Sequence, residues 1–298
     1  MKNAFFTLIL CFISLISKAQ ITATVKNPTD QKPIPYVNIW VENENIGVTA
    51  DENGNFTIAA PINSKLVFNA LGYDDKIIEA SKINGIVYLI PKVFELKEVV
   101  VSSSKKTIEN KIGTFKSKGI NSYYGSSDNY PYMVARHFSN DENTLKTSFI
   151  KTIIPFCKSD IDNAKFRLRL FEADKDGQPS IEILKEDIIV IVKKGNSKPF
   201  IDLSKYSLSF PEYGLFVGLE FMQLASNKYD FIATITHTKE KKKMTSLEPA
   251  FGTLQGESDE KETWRLSKGK WFKSDWFTNQ GQSGRGKDLL AIELTLTN

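Results

Sequence analysis

The chain has 298 residues, of which 41% are hydrophobic and 25% charged, and 39 basic and 35 acidic residues give a formal net charge of +4. This composition excludes a disordered, collagenous or low-complexity chain, and the length is sufficient for one large core or two smaller ones. So small a charge excess argues neither for nor against nucleic acid, and no nucleic-acid partner is predicted.

The first residues have the pattern of a secretory signal peptide. Lys2 gives a positive start, residues 4–16 form an almost unbroken apolar run, and Ser17 and Ala19 are small residues in front of a cleavage site. We therefore predict a signal peptide over residues 1–19. The alternative is a membrane anchor, which would need about 20 apolar residues to span a bilayer.

Cysteine usage and hydropathy agree with export. Cys11 lies inside the apolar run, so signal cleavage would leave Cys157 alone and no intramolecular disulfide is predicted. The apolar surroundings of Cys157 predict a raised pKa and an inert thiol. No later segment is long and apolar enough for a transmembrane helix. We expect an exported protein in the periplasm, on the outer membrane or at the cell surface.

Residues 20–101 are predicted to form a small antiparallel β-sandwich. Apolar and polar side chains alternate in short segments, and Val37, Ile39 and Val41 share one face. Turn residues, such as those from Asp51 to Gly54, separate the segments. Seven strands are predicted, at residues 21–25, 36–41, 46–50, 55–60, 65–70, 76–80 and 86–90.

Three blocks of this region carry a family resemblance. They run over residues 34–39, 47–56 and 66–73, and in this order they resemble the carboxypeptidase-regulatory-like domain. That family is a small transthyretin-like β-sandwich, found at the N-terminus of TonB-dependent receptors of Bacteroidota type. The resemblance covers about residues 20–95 and implies an accessory β-sandwich.

A connector follows this domain. Residues 96–101 are predicted to be a last strand, and residues 102–112 a linker. Residues 95–101 also resemble the segment that joins this domain to the plug of TonB-dependent receptors. This leaves open a role as an accessory component of a TonB-dependent uptake system, in which residues 98–101 would be extended and exposed.

Residues 113–298 are predicted to form a larger, jelly-roll-like β-sandwich of two stacked sheets. The segment 164–171 alternates, with its phenylalanine and leucines inward and its arginines outward, and the lysines of residues 239–243 are assigned to a solvated loop. Further strands are predicted at residues 188–192, 200–203, 215–219, 230–237 and 289–296. The predicted fold class is therefore all-β, with two β-sandwiches in series.

No catalytic residue, metal site or cofactor is predicted. The two histidines, His137 and His237, have no partners at the spacing of a zinc peptidase. A Gly-x-Ser-x-Gly elbow and a phosphate-binding glycine loop are both missing from the sequence. A glycosidase pair of carboxylates stays open, because such a pair is defined in space; the candidates are Glu172, Asp174, Asp176, Glu220 and Glu262.

The stretch 264–276 is the most aromatic of the chain after the signal, and a hairpin is predicted within it. A three-residue loop at 267–269 avoids a positive φ at Lys268. In that register Arg265 faces Trp271 on the outer side, while Trp264 lies opposite Phe272 and faces the core.

An outward tryptophan beside an arginine is a possible platform for a sugar ring. Trp271, Arg265 and Trp276 are therefore the predicted ligand-binding residues. The alternatives are a cation–π pair that only stabilises the surface, or an additional core contact.

Together these patterns predict an exported, non-catalytic envelope protein that binds or scaffolds. Its predicted partner is a glycan or an outer-membrane protein. The rival is a carbohydrate-active enzyme with a carboxylate pair in the second domain, for which two facing carboxyls about 5–10 Å apart in a cleft would be the mark.

Overall fold

The computed structural model describes residues 18–92, 108–126, 130–235, 237–255, 263–273 and 288–298. These residues form two compact units, one made of residues 18–92 and 130–131 and the other of residues 108–126 and 132–298 within the described ranges. Both units are built almost entirely of strands, so the prediction of an all-β chain is confirmed. Residues 1–17, most of the predicted signal peptide, lie outside the described residues.

The first unit contains seven strands, at the places where the sequence predicts them. They are β1 (Lys18–Lys26), β2 (Asn38–Val41), β3 (Gly47–Thr49), β4 (Asn55–Pro61), β5 (Lys65–Asn69), β6 (Lys76–Glu79) and β7 (Gly85–Tyr88). One sheet has the order β4-β1-β7 and the other β3-β2-β5-β6. All pairs are antiparallel except β1 with β7, which is parallel.

The core of this unit follows from the alternation along its strands. Val37, Ile39 and Val41 are fully buried, as their shared face predicts. The predicted turn before β4 is also present, with Gly54 at a φ of 72°. A Cβ on Gly54 would lie 2.7 Å from the carbonyl oxygen of Val25, so glycine is required there for space as well as for conformation.

The second unit contains seventeen strands and one short helix in the described residues. They are β8 (Glu109–Ile112), β9 (Ser122–Ser126), β10 (Tyr132–Phe138), α1 (Glu142–Lys146), β11 (Phe149–Pro155), β12 (Cys157–Ser159), β13 (Ala164–Ala173), β14 (Pro179–Glu182), β15 (Ile188–Val192), β16 (Gly195–Ser197), β17 (Ile201–Asp202), β18 (Leu215–Phe221), β19 (Lys228–Thr234), β20 (Lys241–Gln255), β21 (Thr263–Ser267), β22 (Lys270–Lys273), β23 (Asp288–Leu290) and β24 (Ile292–Thr297).

These strands form three sheets where the sequence predicts two. A seven-stranded sheet has the order β14-β13-β18-β10-β21-β22, with β15 also on β13. A four-stranded sheet has the order β17-β11-β24-β8, and a six-stranded sheet contains β16-β12-β20-β19 with β9 and β23 on β20.

The two smaller sheets are continuous through their backbones. Phe156 separates β11 from β12, and Ala291 separates β23 from β24. The Phe156 N–H donates to the Ala291 carbonyl, Ala291 N–H to Gly252, and Gly252 N–H to Phe156, each at 2.9 Å. They therefore act as one bent layer.

The seven-stranded sheet packs against this bent layer. The rings of Phe166 and Phe221 lie 5.2 and 4.7 Å from that of Phe251 on β20, centroid to centroid. All three side chains are at most 1% exposed, which places the main core between the layers.

Two sequence assignments are wrong at the edges of this unit. Residues 109–112, assigned to the linker, form β8 and pair with β24. Lys241, Lys242 and Lys243, assigned to a loop, begin β20 and pair with β19. Among the described residues, no helix is both long and apolar enough to span a bilayer.

Candidate functional site

A group of charged residues is buried on the seven-stranded sheet. Along β13, Phe166, Leu168 and Leu170 face the main core, as predicted. The prediction that the alternating arginines face solvent is wrong, because the side chains of Arg167 and Arg169 are only 2% and 12% exposed. They lie on the opposite face of the sheet, which is itself covered.

Glu220 on the neighbouring strand is the partner of both arginines. It is opposite Arg167 in the β13–β18 register. Its Oε1 lies 3.3 Å from Nη1 of Arg167, and its Oε2 lies 3.5 Å from Nη1 of Arg169. Its side chain is 3% exposed, so both carboxylate oxygens are held against guanidinium groups away from water.

Two further carboxylates complete the group. Arg169 donates from Nε and Nη2 to the two oxygens of Glu182, at 2.7 and 2.6 Å, in a bidentate pair. Asp187, just before β15, has Oδ1 3.1 Å from Nε of Arg167. We call Arg167, Arg169, Glu182, Asp187 and Glu220 the arginine–carboxylate cluster.

The arginine–carboxylate cluster holds two positive and three negative formal charges. Burial raises the pKa of Asp187 and Glu220 adds to this, although the charge of Arg167 opposes it. Burial alone would lower the pKa of Arg169, but the hydrogen bonds and charge of Glu182 outweigh it and raise the pKa. The arginine–carboxylate cluster thus has one formal negative charge in excess, and Asp187, at 26%, is its most exposed member.

The other candidate carboxylates have different roles. Asp174 accepts hydrogen bonds from the backbone N–H groups of Asp176 and Gln178, at 2.9 Å each, and so closes the turn between β13 and β14. Glu262 lies outside the described residues. Of the five candidates, only Glu220 belongs to the arginine–carboxylate cluster.

An aromatic cluster lies on the same face of the seven-stranded sheet. Phe171 on β13 and Trp271 on β22 have ring centroids 5.1 Å apart. Four strand spacings separate β13 from β22, which in a flat sheet is about 19 Å. The sheet must therefore curl, and it encloses Phe216 and Trp264 as a second small core.

The β21–β22 hairpin has a different register from the predicted one. Its loop has two residues, with Lys268 at a φ of 51° and Gly269 at 74°. Leu266 therefore faces Trp271, and Arg265 faces Phe272. The predicted three-residue loop is wrong by one residue, which moves Trp271 to the other face.

This register separates the predicted ligand-binding residues. Trp271 is half-buried and packs against Phe171, while the Arg265 guanidinium lies 4.2 Å from the ring centroid of Tyr132. The predicted shared outer face of Arg265 and Trp271 is therefore wrong. Trp276 lies outside the described residues, and sugar binding by these side chains stays a prediction.

The register predicts contrasting effects of two neighbouring substitutions. Trp271→Ala removes a ring packed in the aromatic cluster and should lower the free energy of unfolding by about 2–3 kcal/mol. Phe272→Ala removes a ring that is 45% exposed and should lower it by less than about 1 kcal/mol. Urea unfolding of both variants measures the difference. A larger loss of unfolding free energy in Phe272→Ala than in Trp271→Ala would support the three-residue loop instead.

The other reactive side chains fit structural roles. Cys157 is fully buried, and burial raises the pKa of its thiol, as predicted. His137 packs with its ring 4.6 Å from that of Phe216. His237 is exposed in the turn after β19 rather than in a strand. In the described part of the chain, no group of three potential ligands could hold a metal ion.

Sequence reasoning missed Glu182 and Asp187, which come from loops and strand ends. A signal for the arginine–carboxylate cluster was nevertheless present. Glu220 is the one charged residue of Leu215–Phe221, a strand in which every side chain is buried, and β13 carries two arginines in an apolar alternation. Buried charges are rarely left unpaired, so this pattern could have indicated that the two strands are neighbours, although it was not used in the sequence analysis.

The first unit is a small β-sandwich of two sheets. Its sequence, over residues 21–101, matches the CarboxypepD_reg-like domain family. This confirms the resemblance drawn from the three sequence blocks. The match ends at residue 101, ahead of the described start of the second unit.

Comparisons of the whole chain add little. No curated protein matches it. Among solved structures it is similar to a chain from infectious bursal disease virus Gx strain, at 10% identity and a TM-score of 0.24, and to one from the Gt strain, at 8% and 0.24. Each match covers 95% of this chain but 60% of the viral chain. TM-scores this low do not define a shared fold.

Proposed function

We propose that this chain is an exported, non-catalytic protein of the bacterial cell envelope that binds carbohydrate through its second unit. The observation that carries the proposal is the state of Glu220. Both of its oxygens face arginine nitrogens at 3.3 and 3.5 Å, and its side chain is 3% exposed. A carboxylate held in this way cannot approach a glycosidic bond.

An enzyme that acted through the arginine–carboxylate cluster would have to use its other carboxylates, Glu182 and Asp187. A glycosidase needs two carboxyls that both reach the substrate. Burial raises the pKa of Asp187, and its side chain is partly exposed, at 26%. Glu182 is bound bidentately by Arg169, so it does not supply the second free carboxylate. The cluster thus serves better as a structural support than as a catalytic pair.

The sequence supports the remaining parts of the proposal. The predicted signal peptide favours export, and the CarboxypepD_reg-like domain at residues 21–101 favours an accessory role. Exposed aromatic side chains of the second unit, such as Tyr123 at 37% and Phe200 at 66%, favour a ligand with apolar ring faces, such as a sugar.

The proposal is tested by affinity electrophoresis of the chain from Gln20 onward. Gels contain neutral polysaccharides, acidic polysaccharides or no polysaccharide. Slower migration in at least one polysaccharide is expected, with bovine serum albumin as the control for sieving. Unchanged migration throughout the panel would contradict carbohydrate binding.

A further inference from the structure

A surface patch of aromatic rings and lysines lies where the two smaller sheets join. At its base is the ring of Phe156, which is 3% exposed. The rings of Phe115 and Tyr123 pack against it, with centroids 6.2 and 6.4 Å away. Gly252 makes this packing possible, because a Cβ there would lie 2.7 Å from Cδ1 of Phe156.

A lysine lies over each outer ring. Nζ of Lys158 is 5.4 Å from the ring centroid of Tyr123, and Nζ of Lys198 is 4.4 Å from that of Phe115. Both distances are within the range of a cation–π interaction. We call Phe115, Tyr123, Phe156, Lys158 and Lys198 the Phe156 patch.

The topology explains why these lysines meet. On β12, Lys158 alternates with the buried residues Cys157 and Ser159 and therefore points outward. Its partner across the β12–β16 ladder is Asn196, and Lys198 follows the end of β16. Neighbouring strands thus deliver both cations to one surface.

In the described part of the chain, neither lysine is neutralised by a carboxylate. Other lysines of this unit do form ion pairs with carboxylates. Nζ of Lys243 lies 2.7 Å from Oδ2 of Asp230, and Nζ of Lys111 lies 3.5 Å from Oε1 of Glu293. Lys158 and Lys198 form no ion pair within the described ranges. No carboxylate of the described residues therefore competes with an external anion for these two ammonium groups.

We propose that the Phe156 patch is the binding site for an acidic polysaccharide, one that carries carboxylates on its sugar rings. This deepens, and rests on, the proposed carbohydrate-binding function. The two ammonium groups would pair with carboxylates of the chain, and the exposed part of Tyr123 would contact a sugar face. Because the rings already restrain the lysine side chains, less conformational entropy is lost on binding.

The exposure of the rings favours a sugar chain over an anionic membrane. Tyr123 is 37% exposed, Phe115 is half-buried, and Phe156 is buried. An interfacial segment needs apolar side chains that project into the lipid. A shallow patch with two cations suits a ligand that lies along the surface.

The test compares variants with the same change in charge. Lys158→Gln/Lys198→Gln should weaken binding to polygalacturonate by about tenfold or more, since a charge-assisted contact is worth about a factor of ten. Lys241→Gln/Lys242→Gln changes two exposed lysines of β20 and should stay within about twofold of the unchanged protein. Lys158→Arg/Lys198→Arg keeps both charges and should retain binding. Affinity electrophoresis gives the dissociation constants, and melting curves verify folding.

Polygalacturonate is compared with its fully methyl-esterified form and with phosphatidylglycerol vesicles. Equal weakening in the two Lys→Gln pairs would overturn the site and leave the proposed function standing. If only neutral polysaccharides slowed the migration of the protein, the proposal of an acidic ligand would be overturned and the proposed carbohydrate-binding function would stand. If the protein bound vesicles through Lys158 and Lys198 and did not bind polygalacturonate, the ligand of the Phe156 patch would be an anionic membrane and not an acidic polysaccharide. Failure with every polysaccharide would overturn both proposals.

Discussion

Glu220→Leu is expected to lower the free energy of unfolding of the second unit by about 1.5–3 kcal/mol, because it removes the buried charge-assisted contacts that Glu220 makes with Arg167 and Arg169, while Asp187 and Glu182 stay in place. The exposed pair of Lys243 and Asp230 provides the control, since its side chains are 73% and 52% exposed. Lys243→Ala should leave the unfolding midpoint essentially unchanged. Urea denaturation followed by circular dichroism measures both variants.

The loss should depend on the arginine that remains. Arg167→Met already breaks the contact with Glu220, so Glu220→Leu should cost less free energy of unfolding in that variant than in the unchanged protein. If Glu220→Leu were as stable as the unchanged protein, Glu220 would be hydrated rather than ion-paired, and its candidacy as a catalytic carboxylate would return.

Phe216→Ala should destabilise the second unit by about 3–5 kcal/mol, the loss expected when a fully buried aromatic ring is removed. Its ring lies 5.6 Å from that of Trp264 and 6.3 Å from that of Trp271, at the centre of the aromatic cluster. Phe200, which is 66% exposed, supplies the matched control. Phe200→Ala should change stability by less than about 0.5 kcal/mol.

Tryptophan fluorescence during the same unfolding experiment reports on the aromatic cluster directly. A loss in Phe216→Ala no larger than that in Phe200→Ala would show that the seven-stranded sheet does not curl around a second core. The packing of Trp271 against Phe171 would then have no support.

The first unit is predictable because its local signals agree. Each strand is short and alternating, turn residues separate the strands, and the face of Val37, Ile39 and Val41 is buried as periodicity requires. The turn that ends in Gly54 adds a conformational signal of its own. Neither the alternation nor the turns indicate the relative direction of strands that are distant in sequence. The parallel pairing of β1 with β7 was therefore missed in the sequence analysis.

The hairpin register was missed because a local rule was outweighed by packing. A left-handed lysine such as Lys268 is unfavourable by about 1–2 kcal/mol. Burial of a large side chain such as Trp271 contributes about 1.5–3 kcal/mol, and an aromatic pair adds about 0.5–1.5 kcal/mol. The packing of Trp271 therefore outweighs the strain at Lys268, and the hairpin has a two-residue loop, although the loop sequence alone favours three residues.

The arginine–carboxylate cluster shows a second limit of pattern reasoning. Alternation along β13 correctly separates Arg167 and Arg169 from the core-facing side chains. It does not reveal that the sheet curls and that Glu182 and Asp187 approach from other segments. The face of β13 that carries Arg167 and Arg169 is buried only because the tertiary structure covers it. The sequence pattern does not show this cover, so both arginines were assigned to solvent in the sequence analysis.

The central claim, that the second unit binds polysaccharide without cleaving it, is tested most directly by a reducing-end assay. The unchanged protein from Gln20 onward is incubated with each polysaccharide that retards it in the gel, at several pH values from acidic to neutral. No increase in reducing ends over a heat-denatured sample is the predicted result. A steady increase proportional to protein concentration would contradict the claim and identify the chain as a carbohydrate-active enzyme.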